Sequence, residues 1–262
     1  MFGLSDPAIL GALAHQKVQM TIYYDPTGSA KLWNVLPRAN LNPVRGCGLM
    51  HQKILVVDQE LIYVGSANMT SASLSMHDNL IIGLKSRRLA QFLIEKTPKT
   101  TGYIRTQVGG QDVEMWLLPD PRGHALQGLK KKIRMARKSL KIALFTCTHP
   151  ALVAELITAH KKGVFVDLVI DLHSSLGASR KAIEQLKANG IHVSLGGGVE
   201  LLHHKFMLVD DQILVAGSAN WTKAAFYKNS DCLIALNYLS SEQKAMTEKL
   251  WTRIKIGSRP AF

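Results

Sequence analysis

The chain has 262 residues, with 32 Lys and Arg against 19 Asp and Glu, for a formal net charge of +13. Hydrophobic residues at 47% and charged residues at 19% exclude intrinsic disorder, and 20 glycines without a heptad pattern exclude collagen and coiled coil. A small domain usually carries a charge of about 2–8, so the excess tilts toward a polyanionic partner, nucleic acid or an anionic membrane surface, over solubility alone.

The opening MFGLSDPAILGALAHQ has no basic stretch and no long apolar run, so it does not read as a signal peptide. No apolar run reaches about 18 residues, so no transmembrane helix is expected. Residues 2–13, FGLSDPAILGAL, read as the end of a strand and a helix, and 18–25, VQMTIYYD, as a strand. Residues 103–116, YIRTQVGGQDVEMW, read as a hairpin with a Gly-Gly turn that joins two halves, expected as domains 1–112 and 113–262. The second half predicts a strand at 113–119 and an amphipathic helix over His124–Lys138, with Leu126, Leu129, Ile133 and Ala136 at helical spacing. A buried strand (140–146), a helix with proline in its first turn (Pro150–Lys162), a strand (164–171) and a helix closed by Gly190 (Ser179–Asn189) follow. Strands near 191–195, 205–209, 213–216 and 232–236 and a last helix near 240–254 complete an α/β pattern with a mixed sheet. Cys47, Cys147 and Cys232 are odd in number and far apart, which argues against a disulfide framework or a zinc ribbon. Cys147 and Cys232 sit in apolar runs and read as core.

The chain repeats itself. HQKILVVDQELIYVGSAN (51–68) matches HHKFMLVDDQILVAGSAN (203–220) at an offset of 152 without a gap. Eight of the 18 positions are identical: His51/His203, Lys53/Lys205, Val57/Val209, Asp58/Asp210, Gly65/Gly217, Ser66/Ser218, Ala67/Ala219 and Asn68/Asn220. Thr70 and Thr222 extend the match, and the segments at 2–13 and 18–25 parallel 145–156 and 164–171. Such a period means duplication of a whole domain about a pseudo-twofold axis. In the second copy Phe145 lies 32 residues after the first strand opens, whereas its counterpart Phe2 is the second residue. The first copy therefore lacks a strand, a helix and most of a second strand. The native start is expected upstream of Met1, by about 30 residues or more, because a sheet without a central strand exposes unpaired backbone. Any leader would lie there, and localisation is left open.

On a strand, His and Lys at i and i+2 project from one face. Pairing the copies would gather two imidazoles, two ammonium groups, Asn68 and Asn220, and the hydroxyls of Ser66 and Ser218. Such a pocket has many donors and few acceptors, which suits a phosphate. The shared pattern HxKxxxxDxxxxxxGSxN resembles the HKD signature of the phospholipase D superfamily, complete in both copies. The second half, through LLHHKFMLVDDQILVAGSANWTKAAFYKNSD, resembles most the small bacterial nuclease and mitochondrial cardiolipin-hydrolase (Zucchini) branches, where one motif per chain works as a dimer.

The resemblance implies an α/β fold of two tandem phospholipase D-like α-β-α domains with mixed sheets, pseudo-twofold related, the first truncated at its N-terminus. It implies a monomer with both motifs in one chain. It also implies a metal-independent phosphoric diester hydrolase without a cofactor. One histidine forms a phosphohistidine and the other serves as acid and base; His51 is expected as nucleophile and His203 as acid/base. Lys53, Lys205, Asn68 and Asn220 are expected to hold the non-bridging oxygens. A catalytic histidine needs an acceptor on its other ring nitrogen. Asp231 matches the acidic residue that supplies it in the second copy, and in the first copy Asp78 is preferred over Asn79. Asp58 and Asp210 are expected to fix a turn, and Gly65 and Gly217 to permit a tight path.

Several features keep two readings. The basic run from Lys130 to Lys141 is either a solvated helix face, the favoured reading, or a contact for nucleic acid or anionic lipid. Residues 1–112 hold 11 Lys and Arg against 7 Asp and Glu, and the remainder 21 against 12, so the second half is the more basic. Met69 and Trp221 either wall the pocket or belong to the core. His204 points to the opposite face and reads as structural. The partner is a phospholipid at an anionic surface or a nucleic acid. The preferred reaction is hydrolysis or transfer of a phosphatidyl group, nuclease action is the alternative, and complete His, Lys and Asn sets argue against an inert phosphate-binding module.

Overall fold

The computed structural model describes residues 1–262 apart from 30, 31, 97, 99, 197–199 and 262. The first half runs α1 (Pro7–Ala14), β1 (Thr21–Tyr24), α2 (Leu32–Val35), β2 (Asn40–Pro43), β3 (Ile54–Val57), β4 (Leu61–Gly65), α3 (Ser71–Ser75), β5 (His77–Asp78), β6 (Ile81–Lys85) and α4 (Arg87–Glu95). The hairpin of β7 (Gly102–Val108) and β8 (Gln111–Leu117) follows. The second half runs α5 (His124–Met135), β9 (Ser139–Leu144), α6 (Pro150–Lys161), β10 (Phe165–Asp171), α7 (Leu172–Leu176), α8 (Arg180–Ala188), β11 (His192–Gly196) and β12 (Leu201–Leu202). It closes with β13 (Lys205–Val209), β14 (Ile213–Gly217), α9 (Lys223–Tyr227), β15 (Cys232–Asn237), α10 (Ser241–Ile256) and β16 (Ser258–Pro260).

One mixed sheet of nine strands has the order β16-β11-β10-β9-β13-β14-β15-β8-β7. The strands β9, β10 and β11 are parallel, and their near-continuous apolar runs suit burial on both faces. The other pairings are antiparallel. One face packs on α5, α6 and α8 through Leu129, Ile133, Leu156 and Leu186. The opposite face, with Phe206, Leu208, Leu214 and Ile234, meets Ile62, Val64, Ile82 and Leu89 of the first half. The two halves thus share a core.

In the first half the corresponding strands form two separate pieces, β1–β2 parallel and β3–β4–β6 antiparallel. Strand β9 bridges the equivalent pieces of the second half by pairing with β10 and β13, and among the described residues no strand pairs with both β1 and β3. Strand β7 pairs with β8, and β8 with β15, so this hairpin forms one edge of the large sheet.

Helix α5 ends at Met135 rather than Lys138, because the Asp210 carboxylate takes the backbone N–H groups of Arg137, Lys138 and Ser139 at 2.8 Å each. The basic run is largely absorbed by the fold. Lys132 is buried against Glu114 and Asn237, Lys130 and Arg134 pair with Glu155, and Lys141 pairs with Asp211 and Glu248. Among the described residues only Lys131, Arg137 and Lys138 of that run make no ion pair. Trp221 is buried in the large core and Met69 packs against the small one, so neither is a free pocket wall. The three cysteines are free, with Cys147 and Cys232 buried. Among the described residues no helix is long and apolar enough to cross a membrane.

Candidate active site

Each repeated motif is a hairpin. His51-x-Lys53 leads into β3 and His203-x-Lys205 into β13, while Gly-Ser-x-Asn leaves β4 and β14. The tips turn at Asp58-Gln59 and Asp210-Asp211, all with φ between 51° and 56°. Two successive left-handed residues match the twist of a two-residue hairpin, and Asp tolerates that region better than most residues. The tips therefore act as turns away from the pocket. At Gly65 a Cβ would lie 2.1 Å from the Leu80 carbonyl oxygen, and at Gly217, with φ of 145°, 2.3 Å from that of Cys232. Glycine is needed there because the neighbouring strand passes too close for any side chain.

The two halves are wired across the pseudo-twofold axis. His51 Nδ1 donates to Asp231 Oδ1 at 2.8 Å, and the His51 backbone N–H donates to the Ser230 carbonyl at 2.8 Å. His203 Nδ1 lies 3.0 Å from Asn79 Oδ1, and its backbone N–H donates to the Asp78 carbonyl at 2.9 Å. Each acceptor is braced by the serine of its own half. Ser218 Oγ donates to Asp231 Oδ1 at 2.6 Å, and Ser66 Oγ to Asn79 Oδ1 at 2.9 Å. These hydroxyls in turn accept from the backbone N–H groups of Cys232 and Leu80.

Three sequence expectations change accordingly. Asp78 does not hold His51: its carboxylate pairs with Arg253 at 2.7 Å, and only its backbone carbonyl touches a site histidine, His203. Asp231 serves the histidine of the opposite half, and the ungapped alignment partner Asn79 serves His203. Ser66 and Ser218 are not phosphate donors, because each hydroxyl proton is committed to Asn79 or Asp231 and both residues are buried. The sequence could not show this crossing, since it depends on how the halves pack.

The lysines complete the symmetry. Lys53 Nζ donates to the His51 carbonyl and Lys205 Nζ to the His203 carbonyl, both at 2.6 Å. Phe2 stands edge-on to His51 at 5.4 Å between centroids and lies 5.2 Å from Lys53 Nζ. Phe145 takes the same place beside His203, at 5.3 Å, and lies 5.0 Å from Lys205 Nζ. Sequence reasoning aligned these phenylalanines without giving them a role; their identity at the head of matching segments was the available signal. The side chains of Asn68 and Asn220 have no hydrogen-bond partner among the described residues, and both Oδ1 atoms are buried.

Both histidines and both lysines are buried. Burial pulls the Lys53 ammonium down to about 7, and burial together with Lys53 holds Lys205 well below its ordinary value. Burial lowers His51, against the opposing pull of Asp231. Burial, Lys205 and Lys53 also depress His203, which has no carboxylate to oppose them. Burial alone would raise Asp231, but His51, Lys53 and Ser218 outweigh it and keep it ionised. Two buried imidazoles and two buried amines thus stand together with Asp231 as the one carboxylate bonded to either ring, while Asp25 and Asp171 act on the lysines, an arrangement whose positive charge an entering anion would relieve. Among the described residues no three His, Cys, Asp or Glu side chains cluster to hold a metal ion.

The family described as cardiolipin synthase, PLD-like domain, matches residues 8–98 and 129–251. The mitochondrial cardiolipin hydrolase of Homo sapiens is 35% identical over 155 residues, 56% of this chain and 59% of that protein. The Xenopus laevis protein of the same description is 30% identical over 119 residues, 44% of this chain and 56% of that one. The chain spans about half the length of the curated relatives it matches. Among solved structures, the phospholipase D family member Nuc from Salmonella typhimurium superposes with a TM-score of 0.54 at 27% identity, over 58% of this chain and 98% of its own. The phosphatidylserine synthase of Haemophilus influenzae gives 0.65 at 14% identity, over 82% of this chain and 64% of its own, a likeness of fold.

Proposed function

The chain belongs to the phospholipase D-like family of the cardiolipin synthase type, and on that premise we propose that it is a phosphodiesterase acting on phospholipids through a covalent phosphohistidine. The observation that carries this reading is the pair of buried imidazoles, each with Nδ1 engaged by an acceptor and each beside a buried ammonium group. With Nδ1 occupied, Nε2 is left to react.

In the first step His51 Nε2 forms a bond to phosphorus while the bond from phosphorus to the leaving oxygen breaks. His203 gives that oxygen its proton. In the second step a water oxygen bonds to phosphorus and passes a proton to His203, and the phosphorus–nitrogen bond breaks to restore His51. An alcohol in place of water gives phosphatidyl transfer. Lys53, Lys205, Asn68 and Asn220 steady the non-bridging oxygens, whose charge grows in both transition states. Division of one displacement into two is the gain from the nucleophile. The names of the cardiolipin hydrolase relatives favour a phospholipid substrate.

The first test uses bis-p-nitrophenyl phosphate, whose leaving group needs little acid help. His51→Ala should release no p-nitrophenolate. His203→Ala should release about one equivalent and then stall, with turnover down by a factor on the order of 10² or more. Full turnover by either variant rejects the two-histidine mechanism. A parallel assay on phosphatidylcholine, cardiolipin and single-stranded DNA and RNA decides the substrate. Cleavage of nucleic acid alone replaces the lipid reading with the nuclease one.

A further inference from the structure

We propose that Asn79 is a positioning residue that divides the labour between the two histidines, fixing a proton on His203 Nδ1 so that its Nε2 exchanges the catalytic proton, carrying it in the first step and free to accept it in the second, and leaving the carboxylate-backed His51 as the nucleophile. This rests on the two-step reading above and deepens it.

The hydrogen-bond partners on the Nδ1 side of these rings correspond between the two halves. Ser66 matches Ser218, the Leu80 N–H matches that of Cys232, and the Asp78 carbonyl matches that of Ser230. One group differs in kind: an amide faces His203 where a carboxylate faces His51. The amide cannot turn over, because its Nδ2 donates to the carbonyls of Ser73 at 2.8 Å and His77 at 3.1 Å. Its oxygen is thereby presented to His203 and Ser66. An oxygen can only accept, so the proton of His203 resides on Nδ1 and the Nε2 lone pair faces the pocket.

The difference in charge then sorts the roles. A ring phosphorylated on Nε2 with its proton on Nδ1 stays cationic for the life of the intermediate, and the Asp231 carboxylate beside His51 suits that state. A proton shuttle must instead release its proton readily. The groups that bear on His203 are Lys205 at the head of β13, Lys53 ahead of β3, His51, and His77 on β5, whose ring lies 5.8 Å away. Phe145 covers one side. All the titratable members are cationic or basic, and the amide supplies no opposing charge. Protonated His203 is therefore the stronger acid of the pair.

The test begins with the unaltered chain, with its histidines labelled with nitrogen-15. Ring nitrogen spectra should show His203 as the Nδ1–H tautomer, titrating at least about one pH unit below His51. Trapping with bis-p-nitrophenyl phosphate under an alkaline quench should place the adduct on His51. Because p-nitrophenolate leaves with little acid help, the second step, in which His203 must be neutral to accept a proton, is expected to limit turnover with this substrate. Asn79→Asp adds a charge that favours the protonated ring, so the rising limb of the kcat–pH profile should move up by about one unit. In the exchanged pair Asn79→Asp with Asp231→Asn the adduct should appear on His203. The proposal is overturned if His203 titrates with or above His51, or if the unaltered chain carries its adduct on His203. It is also overturned if Asn79→Asp lowers the melting temperature while its pH profile overlays the parent's, as a purely structural residue would. A His51→Ala variant that keeps its turnover would instead remove the two-histidine reading, so the two failures are distinguishable.

Discussion

Lys53 is the residue on which the site's electrostatics turn. Its ammonium is folded back onto the His51 carbonyl, buried, and brought down to about 7 from the ordinary 10.5. Between those two values the unfolded chain holds a proton that the folded chain has released, so stability should rise as the pH climbs through that window. The contribution is lost as the pH falls toward 7. Urea midpoints at pH 7 and pH 9 measure the slope, and Lys53→Met should flatten it. Equal slopes in parent and variant would show that the ammonium is not strained by burial. At this scale the His, Lys and Asn sets were legible because their spacing is local and repeated. The partners Asp231 and Asn79 were half legible: the alignment found both positions, but the preference for Asp78 judged acceptor strength without knowing which half each residue would face. The serines misled for a similar reason, since a hydroxyl beside a catalytic sequence reads as a donor until its own acceptor is seen.

At the scale of the element, the hairpin and the short helix after it form the repeating device. Thr70 and Thr222 accept from the backbone N–H groups of Ser73 and Ala225, which explains why the match between copies runs past the asparagines. Loss of such a cap costs about 1 kcal/mol. Gly217→Ala should cost more, roughly 2–3 kcal/mol, since it adds left-handed strain to a collision with the Cys232 carbonyl. Because Ser218 and Asp231 hang from the same two strands, the variant should also lose activity out of proportion to its stability. Chemical denaturation with parallel kinetics checks both, and a Gly217→Ala as mild as Thr222→Ala would refute the close-approach argument. The helices and strands of the second half were legible from period and turn chemistry. The separation of β1–β2 from β3–β4–β6 was not, because no local pattern states which strands will be neighbours.

For the whole molecule, the decisive surface is the apolar layer between halves. Phe206, fully buried, packs there next in sequence to Lys205, with its ring 5.4 Å from that of His204 and 6.4 Å from that of Trp251 between centroids. Phe206→Ala should cost about 3–5 kcal/mol. It should also weaken activity under conditions where the chain is still folded, because the layer sets the alignment of two motifs that each need the other. Activity measured at low temperature against a denaturation curve separates the two effects, and unchanged kcat in the folded variant would mean that the halves align without this side chain.

The crossing of partners has a consequence in time. Asp231 follows His51 by 180 residues. While the chain is being made, His51, its lysine and its asparagine leave the ribosome long before the carboxylate that completes them exists. His51, the proposed nucleophile, is therefore made before the carboxylate that holds its Nδ1, and the pair of rings with their crossed partners is complete only once both repeats have been synthesised and the halves have closed on each other.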